Sequence, residues 1–181
     1  EAAKSTQKSI AINPNFAEAH LNLGSILKDI GQLEEAEKST RKSILINPNL
    51  AEAHFKLGTI LKDLDKLEQA EIATRRAILI KPNFASAHNN LGVILSDLGQ
   101  LEKAKIAIHQ AIKLQPDYAI AYANLGKILI HLGQLQEAEI ATRKSIEFKP
   151  DFASPYINLG SILKDLNKLQ EAEIAARKSI E

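Results

Sequence analysis

Apolar residues recur along this chain at helical spacing, in short blocks that are separated by polar residues and helix breakers. In segment 17–50 the first apolar stripe consists of Leu23, Ile26, Leu27 and Ile30. Such a stripe predicts an amphipathic helix, and Gly31 predicts a left-handed residue at its end. A second helix is predicted over about residues 33–46, because Pro48 blocks further helix and pushes the preceding residue out of the helical region.

This two-helix pattern is repeated with a period of 34 residues, and prolines, glycines and alanines all recur with that period. The prolines are Pro14, Pro48, Pro82, Pro116 and Pro150, and the glycines are Gly24, Gly58, Gly92, Gly126 and Gly160. A fixed period of this length is typical of repeat proteins. We therefore predict one array over 1–181, with full units 17–50, 51–84, 85–118 and 119–152, a preceding half unit 1–16 that holds only a second helix, and a truncated last unit 153–181.

Local signals at the helix ends and in the helix middles lead to further expectations. Asn15 with Glu18 three residues later has the pattern of a capping box, and Asn49 with Glu52 repeats it. The positions equivalent to Gly31 are Asp65, Gly99, Gly133 and Asn167, all types that tolerate the left-handed conformation. Gly24 stands in mid-helix, where Gly costs roughly 1 kcal/mol against Ala. We therefore expect close approach of the paired helices, with Ala36 facing Gly24.

Composition narrows the function classes. Hydrophobic residues make up 45% and aromatic residues 4%, so the core is expected to be aliphatic and rich in alanine. Lys plus Arg total 23 against 22 Asp plus Glu, so the chain lacks the excess of positive charge that is typical of proteins binding nucleic acid or an anionic membrane. The lack of Cys excludes disulfides, thiolate metal sites and Cys nucleophiles. No apolar run approaches the roughly 20 residues of a membrane span. The start at Glu1 suggests a piece of a longer protein, and the expected compartment is the cytoplasm.

The residues that carry a family resemblance are Leu23, Gly24, Leu27, Gly31, Ala36, Ser43 and Pro48, with their equivalents in the other units. This pattern resembles the signature of the tetratricopeptide repeat (TPR) family over effectively the whole chain. The resemblance implies an all-α fold, a right-handed α-α superhelical solenoid of helix-turn-helix units whose first helices line a concave face. It also implies binding of peptides or protein surfaces, without catalysis. His20 and its equivalents stand where the family often has Trp, and Thr40 and its equivalents replace a larger residue, which suggests a slimmer interior.

A polar row gives the candidate binding site. Two residues before each repeated Gly stand Asn22, Lys56, Asn90, Asn124 and Asn158. Because the Gly faces the partner helix, a residue about 200° earlier is expected to point roughly away from it, which in the family picture is the concave groove. Asn carries a donor and an acceptor, so the row suits the backbone of an extended peptide. It is similar to the asparagine ladder in the TPR region of O-GlcNAc transferase. The alternative is that these residues are merely solvated.

Residues beside this row differ from unit to unit, and we expect them to set specificity. These candidates are Lys28, Phe55, Lys62, Asn89, Val93, Lys127 and Ile130.

Other chemistry is discounted. His20, His54 and His88 lie one to a unit, too far apart to ligate one Zn²⁺, so they are expected to be structural. The basic pairs such as Arg41-Lys42 follow a Glu four residues earlier, which favours a solvated convex face over an RNA track. No Ser-His-Asp group or phosphate loop is visible. We therefore expect no metal, no cofactor and no enzyme activity.

Three functional hypotheses follow. The leading one is a non-catalytic scaffold that binds proteins or peptides in the concave groove. The second is the recognition region of a larger enzyme, similar to a glycosyltransferase. The third is homo-oligomerisation, through the groove or end to end through terminal helices that carry no polar cap.

Overall fold

The computed structural model describes residues 2–180, and within that range it consists of helices joined by short turns, without a strand. The eleven helices are α1 Ala2–Ile12, α2 Ala17–Asp29, α3 Leu33–Ile46, α4 Ala51–Asp63, α5 Leu67–Ile80, α6 Ala85–Asp97, α7 Leu101–Leu114, α8 Ala119–His131, α9 Leu135–Phe148, α10 Ala153–Asp165 and α11 Leu169–Lys178. The predicted all-α class is confirmed. None of these helices is both long and apolar enough to cross a bilayer.

The chain divides into two compact units, Glu1–Asn90 and Leu91–Glu181. In the first unit α2 packs on α3 and α4 on α5, whereas α1 and α3 each pack on the first helix of the next pair. The second unit repeats this scheme, because α8 packs on α9 and α10 on α11, with α7 against α8 and α9 against α10. Each helix thus buries its apolar stripe partly on its own partner and partly on the neighbouring repeat.

The predicted ends of the first helices are confirmed. Gly31 has φ 80° and Asp65 has φ 58°, both in the left-handed region. The other residues with positive φ are Gly99, Gly133 and Asn167. Beyond Gly31, the backbone N–H of Gln32 reaches back to Leu27 O at 2.9 Å, which satisfies a carbonyl at the end of α2. Local backbone chemistry therefore stops every one of these helices where the sequence predicts.

The expected capping boxes are wrong. The N-cap of α2 is Phe16, and no side chain caps this helix. The neighbouring asparagines act one turn earlier: Asn13 Oδ1 accepts from the N–H of Asn15 at 3.1 Å. In the next repeat Asn47 Oδ1 accepts from the N–H of Asn49 at 3.2 Å. Asn13 and Asn47 thus stabilise the turns that contain the prolines. Asn15 lies one position before the N-cap Phe16, too early to cap the helix.

The core is aliphatic and rich in alanine, as the composition predicts. The close approach expected at the mid-helix glycines is confirmed at four of the five, with Gly160 as the exception, although the partner differs. A Cβ built on Gly58 would collide with Thr74 Oγ1 and would lie 3.2 Å from the backbone oxygen of Ala70. Thr74 rather than the Ala70 methyl thus fills the gap opposite the glycine, and only a residue without a side chain fits there.

Candidate peptide-binding face

In the first unit α2 and α4 contact each other, and their sides away from the core form one surface. We name it the first-helix face of the first unit. It consists of Leu21, Asn22, Ser25, Lys28, Phe55, Lys56, Thr59, Lys62 and Asp63. Leu57, Ile60 and Leu61 of α4 are buried on the other side. The helical period therefore sends the core residues one way and this mixed polar and aromatic set the other.

An ion cluster joins the two helices on this face. Lys28 Nζ lies 2.8 Å from Asp63 Oδ2, and Lys62 Nζ lies 3.0 Å from the other carboxylate oxygen. Burial acts to raise the pKa of Asp63, but the hydrogen bonds from the two lysines outweigh it and hold the pKa below its usual value. The structure thus brings the two candidate lysines together, and one carboxylate neutralises half of their charge.

The polar row differs from expectation at Asn90. This side chain is only 8% exposed, and its Nδ2 donates to Thr74 Oγ1 at 3.2 Å. The expectation that it points away from the helix interface is therefore wrong, because the amide turns inward to the buried hydroxyl of Thr74. Its neighbour Asn89 is equally buried. Asn22 is exposed and Lys56 is half-buried, so these two members of the row reach the surface of the first unit.

Phe55 contributes an aromatic surface beside Lys56. Its ring is tilted against that of Phe84, with 4.9 Å between the centroids. Lys81 Nζ lies 4.7 Å from the centroid of the Phe84 ring. The pair is held in place on one side and remains half-exposed on the other, which makes Phe55 a preorganised apolar contact for a ligand.

The second unit repeats the arrangement, because α8 and α10 also contact each other. Of its predicted site residues, Lys127 is exposed; those that are half-buried are Val93, Asn124, Ile130 and Asn158. Ile157 is exposed next to Asn158. This unit therefore carries two amides, Asn124 and Asn158, with more apolar neighbours than the first unit has.

The predicted structural role of the histidines is confirmed. Nε2 of His20 lies 3.0 Å from the carbonyl oxygen of Pro14. The same contact, at 2.9 Å, joins His54 to Pro48 and His88 to Pro82. Each ring thus ties a first helix to the turn before it. Within residues 2–180, no three His, Asp or Glu side chains converge as a metal site would require.

The second helices carry the predicted Glu–Arg pairs four residues apart. Their N···O distances are between 2.7 and 2.9 Å for Glu37–Arg41, Glu71–Arg75, Glu139–Arg143 and Glu173–Arg177. Sequence reasoning missed that two of these glutamates also bind the following repeat. Lys66 Nζ lies 2.8 Å from Glu37, and Lys168 Nζ lies 2.8 Å from Glu139. The recurring spacing of 29 residues between Glu and Lys was the available signal.

Comparison with known proteins identifies the family. Three family models described as tetratricopeptide repeat match most of the chain: one matches residues 6–38 and 110–140, another 85–118, and the third 51–84 and 153–181. No curated protein matches the sequence significantly.

Solved structures share the fold. YrrB, whose structure is described as a TPR protein with an unusual peptide-binding site, aligns with TM-score 0.74 at 22% identity over 99% of this chain and 92% of its own. PilF of Pseudomonas aeruginosa aligns with TM-score 0.84 at 22% identity, over 91% and 75% of the two chains. MamA of Desulfovibrio magneticus RS-1 aligns with TM-score 0.78 at 21% identity, over 91% and 93%. The chain belongs to the tetratricopeptide repeat family.

Proposed function

We propose that the chain is a non-catalytic module that binds proteins or extended peptides on its first-helix face. The observation that carries this proposal is the contact between α2 and α4, which places Asn22 and Lys56 on adjacent helices beside the half-exposed Phe55. Asn22 is exposed, and Phe55 and Lys56 are half-buried, so all three present surface to a ligand. The peptide-binding site described for YrrB, which shares the fold, supports a role of this kind.

The chemistry of the face indicates what it binds. Asn22 offers both an acceptor and donors to a peptide backbone, whereas the ammonium of Lys56 offers donors alone. Neighbouring packed helices lie about 8–10 Å apart, and an extended strand rises about 3.3 Å per residue. Asn22 and Lys56 therefore suit groups about three residues apart on an extended peptide. A carbonyl or carboxylate at Lys56 and an apolar side chain on Phe55 complete the expected ligand.

An immobilised array of extended peptides, followed by titration of the best binder, tests the proposal. Replacing Asn22 and Lys56 together by Ala is expected to weaken binding by about tenfold or more, the equivalent of about 1.4 kcal/mol. Lys42→Ala removes an exposed cation from a second helix and serves as the control. Equal affinities of the double variant, the control and the wild type would refute binding on this face.

A further inference from the structure

A second surface lies on the opposite helices of the first unit. A cleft of about 490 Å³ opens between α3 and α5, with α4 as its floor. Its apolar lining consists of Ile44, Leu45, Leu57, Leu61, Ile72 and Ala73. Neither Asn22 nor Phe55 takes part in it, so it is separate from the first-helix face.

The rim of this cleft exposes large aliphatic side chains. Leu45 is 73% exposed and Ile72 is 70% exposed, on opposite walls. Exposed apolar groups that flank a concave surface typically mark an interaction site. A groove between two helices with apolar walls is the shape that receives the apolar side of an amphipathic helix.

Charge distinguishes this cleft from its equivalent in the second unit. Two arginines, Arg41 and Arg76, line the first cleft, and none of its lining residues is Asp or Glu. Arg41 is already paired with Glu37, whereas Arg76 makes no ion pair with residues 2–180. The second-unit cleft, of about 400 Å³, carries two bases and two acids: Arg143, Lys178, Glu147 and Glu171. Of these two clefts, the first therefore has an unbalanced positive rim, whereas the charges of the second balance.

We propose that the cleft between α3 and α5 docks an acidic amphipathic helix. An aliphatic or aromatic residue of the partner sits between Leu45 and Ile72, and a carboxylate beside it pairs with Arg76. Arg pairs with carboxylates in bidentate geometry, so Arg76 provides orientation as well as attraction. The partner is identified by charge complementarity: Arg76 would repel a basic helix, and a neutral helix would gain nothing from its unpaired charge.

A fluorescein-labelled synthetic helix with leucines on one side and glutamates along its flanks is the probe, and anisotropy reports its binding. Ile72→Lys places a charge on the apolar wall at a position where the preceding repeat already has Lys38, so the fold accepts it. Arg76→Glu reverses the unpaired charge. Each change is expected to weaken binding by about tenfold or more. The matched changes in the second-unit cleft, Ile174→Lys and Lys178→Glu, are expected to leave the affinity unchanged.

Several outcomes would overturn the proposal. One is equal binding of a probe whose glutamates are replaced by lysines, because the rim charge would then play no part. Another is equal loss from the changes in the two clefts. A third is a failure of the probe to bind while light scattering finds concentration-dependent dimers that Ile72→Lys dissociates, since the occupant would then be a second copy of this chain. Circular dichroism of each variant checks that its helices are intact.

Discussion

The side-chain amide of Asn90 donates to Thr74 Oγ1 at 3.2 Å, linking the first helix of one repeat to the second helix of the repeat before it. Both side chains are buried. The equivalent hydroxyls of Thr40 and Thr142 are buried without a hydrogen-bond partner within the described residues. Asn90 therefore satisfies a buried hydroxyl. The residues at the equivalent position, Lys56 and Asn158, do not bond to the hydroxyls of Thr40 and Thr142.

Asn90→Ala is expected to destabilise the protein by about 1–2 kcal/mol, because it leaves the Thr74 hydroxyl buried without its partner. Urea unfolding followed by circular dichroism measures the change. Asn22→Ala, at the equivalent but exposed position, is expected to stay within about 0.5 kcal/mol of wild type. Similar losses from the two substitutions would mean that the hydrogen bond to Thr74 does not stabilise the fold.

Gly58→Ala and Gly160→Ala are expected to act in opposite directions. A methyl group on Gly58 collides with Thr74 Oγ1, and overpacking of about 1–3 kcal/mol outweighs the gain of up to about 1 kcal/mol in helix propensity. At Gly160 the nearest atom to the new methyl is the oxygen of Ala172, at 3.6 Å. The propensity gain is then expected to dominate. Thermal unfolding of both variants measures the two effects. Shifts of the unfolding temperature in the same direction would contradict the packing argument.

Gly31→Ala is expected to cost about 1–2 kcal/mol through the backbone alone. Its φ is 80°, and nothing lies within 4 Å of a Cβ placed there, so no side-chain clash contributes. Asp65 already carries a side chain at the equivalent turn with φ 58°. Asp65→Gly is expected to change stability by no more than about 0.5 kcal/mol, since relief of strain and greater freedom of the unfolded chain nearly cancel. If chemical unfolding finds Gly31→Ala neutral, the expected strain of a left-handed alanine at this turn is contradicted.

Stability is expected to fall in acid partly through Glu37. The hydrogen bond from Lys66 lowers the pKa of Glu37 below its ordinary value of 4.5; burial opposes this shift and the bond from Arg41 adds to it. A depressed carboxyl pKa stabilises the fold fully above about 4.5, and the contribution is lost as the pH falls through the lower folded-state pKa. We expect about 0.5–1 kcal/mol from the ion pairs of Glu37 with Lys66 and Arg41, because both of these partners remain partly exposed. Unfolding of wild type and Glu37→Gln from pH 7 to pH 3 measures it.

The control for that experiment is Glu34→Gln on the same helix, because Glu34 is exposed and has no ion pair within residues 2–180. The difference between wild type and Glu37→Gln should shrink as the pH falls, whereas Glu34→Gln should follow wild type throughout. A constant difference for Glu37→Gln would show that the carboxylate charge does not stabilise this junction.

The features that the sequence predicts well are local ones. Gly31 and Pro48 end their helices through the backbone geometry of one or two residues, so α2 and α3 end where the pattern indicates. The capping boxes fail for a related reason: Asn15 sits in the turn after Pro14, one position before the true N-cap. The spacing of Asn and Glu alone does not distinguish the two arrangements.

The features that it predicts poorly depend on how repeats meet. The direction of Asn90 depends on its hydrogen bond to Thr74 in the preceding repeat, which a rotation about one ideal helix does not include. The cleft between α3 and α5 likewise depends on residues of three helices, which come together only when the repeats pack. The exposed row of Ile72, Ile106, Ile140 and Ile174 was its visible sign in the sequence.

The ties between successive repeats have a consequence for repeat order. Glu37 meets Lys66, but the equivalent tie in the second unit joins Lys105 to Gln134 at 3.1 Å. If the segment 85–118 were transplanted in front of 51–84, Lys105 would meet Lys66, and two cations would oppose each other. Although the repeats share one fold, the charges at their junctions differ. We therefore expect this protein to tolerate duplication of a matched pair of repeats more readily than a shuffle of single ones.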